Sequence, residues 1–522
     1  MSRPQTVARS WGNRWGELMA RRARTVLAIA VVALIACGLG YMTIARYLPP
    51  ADVSVTGSES ARTADLMHRY FPAVGGESDL IVFSSPDRTV DDPAFRTRID
   101  GTVRAASQHA GVAAASGPFD MFNPLAARAI SPDRHAALAV LRLSADDAHQ
   151  RARDADALRP VISGHSGDGI EVGLTGYSPA TNDLASTEKA DTARAEAIGL
   201  PVALILLILS FGAAMAAVLP LVVAGIGLVC TFGVIAALMP AMNFSALVVT
   251  IATTLGTGLA IDYALFVVSR FREELARRSI TDAADREAVA EAVGAALTTA
   301  GRTITISGLI VLVTLSCLAV VNSPVFREIT VGISATVVCL LIVALTALPA
   351  LLGLLGPRVS RWSLPNWANP ADARLGSEIP RGRWSAWARN VMARPVRYGV
   401  AAVAILAVGL IPLGSLRYGL NLGGDALAHT DSGRANTVLA QRFTPGLSGP
   451  IQVVVTGKDG AADDPAAVSR LTGRFATDNR VWAQLSQQAE GRQALVIVPA
   501  VAPDSAAAID LVRDLRAAGA DA

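Results

Sequence analysis

The sequence predicts a polytopic α-helical membrane protein with seven membrane spans and α/β domains outside the membrane. Three observations predict this fold class. Of the 522 residues, 52% are hydrophobic and the mean hydropathy is +0.42, which is too apolar for an ordinary soluble protein. The apolar residues lie in blocks long enough to cross a bilayer as helices. Two long polar stretches, residues 48–195 and 417–522, interrupt or follow these blocks.

Seven apolar runs account for the spans. They are Thr25–Ala45, Ala197–Met215, Ala217–Met239, Phe244–Ser269, Thr303–Val321, Ile329–Leu355 and Tyr398–Leu416. The first run exceeds the core of a typical signal peptide, and Arg46-Tyr47 follows it where a cleavage site needs small residues. We therefore predict an uncleaved first span at residues 25–47, five spans at 196–356 and a seventh at 397–416.

Arginine placement predicts the orientation, because short loops rich in Arg and Lys stay in the cytoplasm. Arginines precede the first span, end the fourth with Arg270 and Arg272, and crowd the connection at residues 357–396. We predict a multi-pass plasma-membrane protein whose N-terminus, residues 1–24, and arginine-rich connection are cytoplasmic. Six of the seven tryptophans lie on that side, as interface anchors do. They are Trp11, Trp15, Trp362, Trp367, Trp384 and Trp387.

The polar stretches predict secondary structure outside the spans. A helical run at Ser60–Tyr70 precedes strand-like runs at Leu80–Phe83, Ala137–Leu141 and Ile170–Leu174, a pattern typical of an α/β domain. On the cytoplasmic side, Thr281–Thr299 predicts an amphipathic helix along the membrane interface, with Thr281-Asp282 as its cap.

The two outer stretches resemble each other at a fixed offset. Ser60, Arg62 and Phe71 match Ser432, Arg434 and Phe443, each 372 residues later, and Ile81–Phe83 falls on Val453–Val455. This predicts a tandem duplication. The first unit continues into five more spans, whereas the second ends at Ala522 within its outer domain. We therefore expect residues 417–522 to be an incomplete second domain of a truncated product, or a separate chain to supply the rest.

One acidic residue, Asp262, lies in the middle of the fourth span. The run Phe244–Ser269 contains no other charged residue, and a carboxylate there costs a few kcal/mol even on lenient insertion scales. Such a residue marks a functional site by default, because a poorly solvated carboxyl group can take a proton from one side and release it to the other. The alternative is a structural carboxylate that never titrates.

Four neighbours are candidates to support Asp262. Tyr263 can donate to the carboxylate or carry a proton towards it, and Gly258, one turn earlier, leaves room for another helix. Phe266, one turn later, can close the route against leakage, and Ser307 lies on the next span. Packing remains the alternative for the first three residues, and a bond to its own helix backbone remains the alternative for Ser307.

Other functional classes find little support. The net charge of +3 does not indicate nucleic acid, the four cysteines lie inside apolar blocks, and the six histidines have no ligand spacing. We predict no metal or cofactor site and no catalytic residues. The chain contains neither a nucleophile–base arrangement nor a phosphate-binding glycine loop, so we expect it not to be an enzyme.

Three motifs resemble those of the MMPL family, large membrane transporters of the resistance-nodulation-division (RND) superfamily. They are Gly57–Arg62 with Phe71-Pro72, the run Gly258–Phe266 with its exit Arg270–Glu274, and Thr299–Gly308. The resemblance implies two extracytoplasmic porter domains and proton-driven export of lipids or other hydrophobic molecules. It also implies that Asp262 and Tyr263 are one half of a proton relay, whose other half lies on a later span.

The resemblance leaves two other functions open. The five spans Ala197–Leu355 also resemble a sterol-sensing domain, which implies a lipid-binding sensor or scaffold. A decayed, inactive product is the other possibility. The expected partners are a lipid or hydrophobic small molecule, protons, membrane lipids, and the remaining half of the protein or a partner chain.

Overall fold

The structure, a computed structural model, describes residues 11–44, 55–71, 77–120, 125–145, 147–362, 383–415, 427–455, 465–490 and 492–520. Contacts divide the chain into two compact units. The helical unit comprises Met1–Asp52 and Asp191–Arg417, and the α/β unit comprises Val53–Ala190 and Tyr418–Ala522. Residues 45–47 of the first span, Pro72, Trp367, Leu416 and the middle of the arginine-rich connection lie outside the described residues.

The described residues form helices and strands that we number in chain order. The helices are α1 (Trp11–Arg21), α2 (Ala23–Ile44), α3 (Glu59–Tyr70), α4 (Pro93–Ser107), α5 (Ala148–Ser163), α6 (Tyr177–Phe211), α7 (Ala214–Leu238), α8 (Ala246–Arg277), α9 (Arg286–Ala296), α10 (Arg302–Ser316), α11 (Pro324–Leu345), α12 (Ala347–Leu355), α13 (Arg383–Ala393), α14 (Pro395–Leu410), α15 (Asp431–Arg442), α16 (Pro465–Ala476) and α17 (Ala506–Ala520). The strands are β1 (Ser78–Ser84), β2 (Val112–Ser116), β3 (Ala136–Leu143), β4 (Glu171–Thr175), β5 (Ile451–Val455), β6 (Val481–Ala489) and β7 (Arg492–Pro499).

Seven helical segments of the described residues are long and apolar enough to cross a membrane, by length and composition. Each overlaps one of the predicted apolar runs, so the prediction of a polytopic helical membrane protein is confirmed. The segments are Ala23–Met42, Tyr177–Phe211, Ala214–Leu238, Ala246–Arg277, Arg286–Val320, Pro324–Ser360 and Pro395–Leu413.

The predicted boundary between the second and third spans is wrong. Helix α6 ends at Phe211, and Met215 already belongs to α7. Gly212 separates the two helices with φ of +67°, a left-handed conformation that glycine adopts without steric cost. Hydropathy could not locate this turn, because apolar residues continue on both sides of it.

The sixth predicted span is two helices, α11 and α12, that meet at Thr346. Pro349 causes the break, because proline has no N–H to donate to the carbonyl of Leu345, four residues earlier. The indole N–H of Trp15 in α1 donates to that carbonyl at 2.9 Å instead. Trp15, predicted as an interface anchor, therefore holds α1 against the bundle, while Trp11 stacks on it with ring centroids 5.6 Å apart and stays largely exposed.

The cap predicted for the helix at Thr281–Thr299 is wrong. Helix α9 begins at Arg286, and Asp285 caps it by accepting a hydrogen bond from the Ala288 N–H at 3.0 Å. Asp282 instead accepts from the Ala284 N–H within the preceding turn. One face of α9 is buried, including Val289 and Val293, because α1 packs along it. A five-residue π-helical stretch, Leu297–Gly301, joins α9 to α10.

The α/β unit contains two antiparallel sheets that follow the same plan. The strand order is β2-β3-β1-β4 in the first sheet and β5-β7-β6 in the second. Read in reverse, the second order β6-β7-β5 repeats the arrangement β2-β3-β1 of the first. The predicted helical run and the three strand runs of the first outer stretch are confirmed as α3, β1, β3 and β4. Helices α3 and α15 have the same length and start 372 residues apart. Helices α4 and α16 differ in length but also start 372 residues apart, and both begin with proline.

The first helix of each outer stretch covers the sheet of the other stretch. In α15, Ala435 and Leu439 pack in one apolar cluster with Leu80 and Leu138 of the first sheet. In α3, Met67 is buried in a cluster with Ala494 of the second sheet. The two polar stretches, predicted as separate domains, thus share their cores within one compact unit.

Candidate functional site

The candidate site is on α8, which is anchored at both ends. At its first residues, the carboxylate of Glu328 in α11 accepts a hydrogen bond from the Ser245 N–H at 3.0 Å. Glu328 is buried, and a carboxylate at this position satisfies a backbone donor that the helix itself cannot. Sequence analysis missed Glu328, although an isolated acidic residue just before the run Ile329–Leu355 was a signal.

The buried face of α8 packs closely on two other helices. A Cβ added to Gly256 would lie 2.8 Å from Leu228 Cδ2 of α7 and 2.9 Å from Thr336 Cγ2 of α11. The missing side chain therefore allows both helices to approach α8, as small residues do in membrane bundles. Sequence analysis gave this close-packing role to Gly258 instead. A Cβ added to Gly258, however, would have no described atom within 4 Å.

Tyr263 lies on the buried side of α8. Its side chain is 3% exposed, and its hydroxyl group faces the hydroxyl group of Ser307 on α10. No hydrogen-bond partner of good geometry is present for this hydroxyl among the described residues. Sequence analysis proposed only that the span carrying Ser307 packs near the Asp262 site. In the structure Ser307 lies beside Tyr263, whose phenol can donate a hydrogen bond.

Asp262 lies on the opposite side of α8 from the packed face. It is exposed, and so are Gly258 and Phe266, one turn before and one turn after it. We call this stripe, Gly258–Asp262–Phe266, the open face. Because Asp262 precedes Tyr263 directly, the helix presents the carboxylate and the phenol on adjacent surfaces. Ser307, Tyr263 and Asp262 therefore follow one another with side chains that can donate or accept hydrogen bonds.

The basic end of α8 connects the second and third sequence motifs. The Arg270 Nε donates to the Thr299 hydroxyl at 3.2 Å, and the Arg272 Nη1 donates to the Phe211 carbonyl at 2.6 Å. Sequence analysis named Glu274 only as the end of the second motif. In the structure it is buried and pairs with Arg277 at 3.0 Å and Arg278 at 3.5 Å. These contacts fix the last turns of the helix that carries Asp262.

No group of three or more His, Cys, Asp or Glu side chains that could hold a metal ion occurs in the described part of the chain.

Comparison with known proteins identifies the family. Residues 52–398, well over half of the chain, match the MMPL family. The chain belongs to the MMPL family. The match includes α8, α10 and the first outer stretch from residue 52 onwards. Because MMPL family members are transporters, the prediction that this chain is not an enzyme is confirmed.

Three relatives illustrate the range of the similarity. The chain is similar to a membrane protein of Streptomyces coelicolor, SCO6666, with 33% identity over 455 residues, 85% of this chain and 60% of the relative. It is similar to the trehalose monomycolate exporter MmpL3 of Mycobacterium tuberculosis, with 27% identity over 474 residues, 84% and 48% of the two chains. It is similar to the heme uptake protein MmpL11 of the same organism, with 29% identity over 442 residues, which are 81% of this chain and 42% of the relative.

The chain spans about half the length of the curated relatives it matches. By their names, one relative exports a lipid and another takes up heme. A membrane location and a family of transporters are therefore established for this chain.

Proposed function

We propose that this chain is part of a transporter that couples inward proton flow to the export of lipids or other hydrophobic molecules. The observation that carries the proposal is the position of Asp262, the lone carboxylate in the apolar part of a membrane helix, next to a Tyr263 hydroxyl that has no hydrogen-bond partner among the described residues. An acid that must change its protonation state needs a nearby group that can accept or supply the proton, and Tyr263 with Ser307 meets that need.

The open face requires a covering element. A carboxylate that faced lipid would be strongly disfavoured in a membrane, and an exposed glycine and an exposed Phe266 flank it. We propose that a second helix with its own acidic residue covers Asp262, supplied by further polypeptide or by a partner chain. The relay would then shuttle protons between two carboxyl groups across a closely packed interface.

The proposed architecture is an RND-like tandem duplication. The equal offsets of α3 with α15 and α4 with α16, and the shared strand order of the two sheets, support it. The α/β unit would form the extracytoplasmic porter domains, and the arginine-rich ends of the spans would be cytoplasmic.

A lipid is the proposed substrate class, because the MmpL3 relatives are named as exporters of trehalose monomycolate. The family's other named activity, heme uptake, also concerns a large hydrophobic ligand. The competing function, a sterol-sensing-like lipid sensor, needs no carboxylate that titrates. Substitution at Asp262 therefore distinguishes transport from sensing.

The test is transport by Asp262→Asn in membranes of the producing cell, with trehalose monomycolate as the first probe lipid and a pH-sensitive dye for proton entry. Asparagine preserves the shape of aspartate and removes its proton chemistry, so we expect both lipid export and coupled proton entry to fall to background. Thr254→Ala, two turns earlier on α8 and also exposed, is the matched control. Undiminished export by Asp262→Asn at normal membrane abundance would rule out the relay.

A further inference from the structure

The α/β unit contains a second carboxyl site, where helix α6 begins. Asp79 of β1 has no exposed surface, and neither of its carboxylate oxygens has a hydrogen-bond partner among the described residues. The backbone of Gly176, just before α6, presses against it, since a Cβ there would lie 2.0 Å from Asp79 Oδ1. An ionised carboxylate without donors is strongly disfavoured in such a place, because burial removes its water without replacement.

Glu77 connects this carboxyl group to α6. Its carboxylate accepts hydrogen bonds from the Ser178 N–H at 2.5 Å and the Ser178 hydroxyl at 2.9 Å, and from the Arg151 Nε at 3.1 Å. Ser178 is the second residue of α6, so Glu77 caps that helix from a different segment of the chain. The same helix runs on, unbroken, to Phe211.

If both Asp79 and Glu77 were ionised, their two negative charges would face only one positive charge, that of Arg151. Glu77 from its own segment and Arg151 from α5 are the charged groups that act on it. Gly176, just before α6, and Ser178, in its first turn, are the uncharged residues on that side, and the residue opposite Asp79 on β3 is Leu141. Burial and then the negative charge of Glu77 raise the pKa of Asp79 well above its ordinary value, against a weaker opposing effect of Arg151.

We propose that Asp79 and Glu77 form a proton-binding site in which Asp79 is protonated at neutral pH, and that loss of this proton loosens the first turn of α6. In the protonated state, the Asp79 O–H faces the Glu77 carboxylate. Release of the proton to solvent leaves two facing carboxylates, which compete for the donors of Ser178 and Arg151. The inference does not depend on proton coupling by Asp262.

Infrared spectroscopy of the full chain in lipid nanodiscs tests the protonation directly. With the aspartate carboxyl carbons labelled by ¹³C, we expect a protonated-carboxyl band at neutral pH that disappears as the pH rises and is missing in Asp79→Asn. Asp91→Asn is the matched control, because Asp91 is exposed and its pKa is lowered by Arg134. Asp262→Asn must keep the Asp79 band, so this result and that of the transport test are separable. A wild-type protein without any Asp79-dependent band would overturn the proposal.

Hydrogen exchange on the same samples tests the effect on α6. After correction for the intrinsic pH dependence of exchange, opening of the peptide that contains Ser178 should increase by up to about tenfold per pH unit, since one proton is released. In Asp79→Asn this dependence should be absent, whereas Asp91→Asn should behave as the wild type. Equal slopes in the wild type and Asp79→Asn would refute the link to α6. Should Asp79→Asn not fold, the labelled spectrum of Asp262→Asn decides the protonation, because that variant lacks the intramembrane aspartate.

Discussion

At the scale of single residues, acidic side chains hold the α/β unit together through contacts that are distant in sequence. Asp183 of α6 accepts hydrogen bonds from the N–H and hydroxyl group of Ser432, 249 residues away, and pairs with Arg159. Burial alone would raise the pKa of Asp183, but the bonds from Ser432 and Thr430 and the charge of Arg159 outweigh it, so its pKa is lowered.

Asp183→Asn should destabilise the α/β unit by about 2 kcal/mol at neutral pH, because charge-assisted bonds are lost from a buried site. Since the folded state lowers the pKa of Asp183, its contribution is complete above the ordinary aspartate pKa of about 3.9 and disappears as the pH falls through the lowered value. Denaturant unfolding of the full chain at descending pH measures both effects. Asp191→Asn is the control, because Asp191 forms an exposed ion pair with Arg194 on the same helix. An equal loss of stability in both variants would contradict the prediction.

Sequence analysis found some of these residues for identifiable reasons. Asp262 is conspicuous because its neighbours are apolar, and the small, polar residues Ser307 and Gly308 on the next span indicated a helix that packs near it. Asp79 and Asp183 lie in polar stretches, where a carboxylate attracts no notice. Their importance comes from partners such as Ser178 and Ser432, which only the fold brings near.

At the scale of elements, hydropathy predicted each span but not where helices break. Gly212 and Pro349 mark the breaks, and both are visible in the sequence, but a long apolar run conceals their effect. The break at Pro349 also shows how one element binds another. It frees the carbonyl of Leu345, and the N-terminal helix α1 supplies the donor through Trp15.

Trp15→Phe should destabilise the helical unit by about 1 kcal/mol, the usual net value of one hydrogen bond. The loss should shrink in a Pro349→Ala background, because alanine at that position restores an N–H that can bond to the Leu345 carbonyl. Thermal unfolding of the four proteins of this double-mutant cycle measures the coupling. Trp11→Phe serves as control, since Trp11 stacks on Trp15 but remains exposed. A zero coupling energy would show that Trp15 acts only by packing.

At the scale of the whole molecule, the sequence predicted which segments are alike but not which pack together. Short apolar runs within polar stretches indicate strands, so β1, β3 and β4 were predictable. They do not specify which helix covers a sheet. Helix α15 covers the first sheet and α3 covers the second, and neither stretch contains a sequence signal for this exchange. The open face is a similar case, because α8 is apolar on nearly every side and its pattern cannot indicate which neighbours are present.

The open face leads to a prediction about the complete transporter. Gly258→Leu should leave the abundance and stability of this chain nearly unchanged, because no described atom lies within 4 Å of the new Cβ and leucine favours a helix. Transport should nevertheless fall by about tenfold or more, since a covering helix displaced from Asp262 need weaken the relay by only ~1.4 kcal/mol to produce that loss.

Two other glycines supply the comparison. Gly225→Leu changes a helical glycine of α7 that is exposed and equally free of described neighbours, so it should alter neither stability nor transport. Gly256→Leu should reduce abundance itself, because its side chain would collide with Leu228 and Thr336. Export and membrane abundance of the three variants are measured side by side. If Gly258→Leu transports as well as Gly225→Leu does, then no helix packs closely over Asp262, and the second relay carboxylate would have to reach the open face in another way.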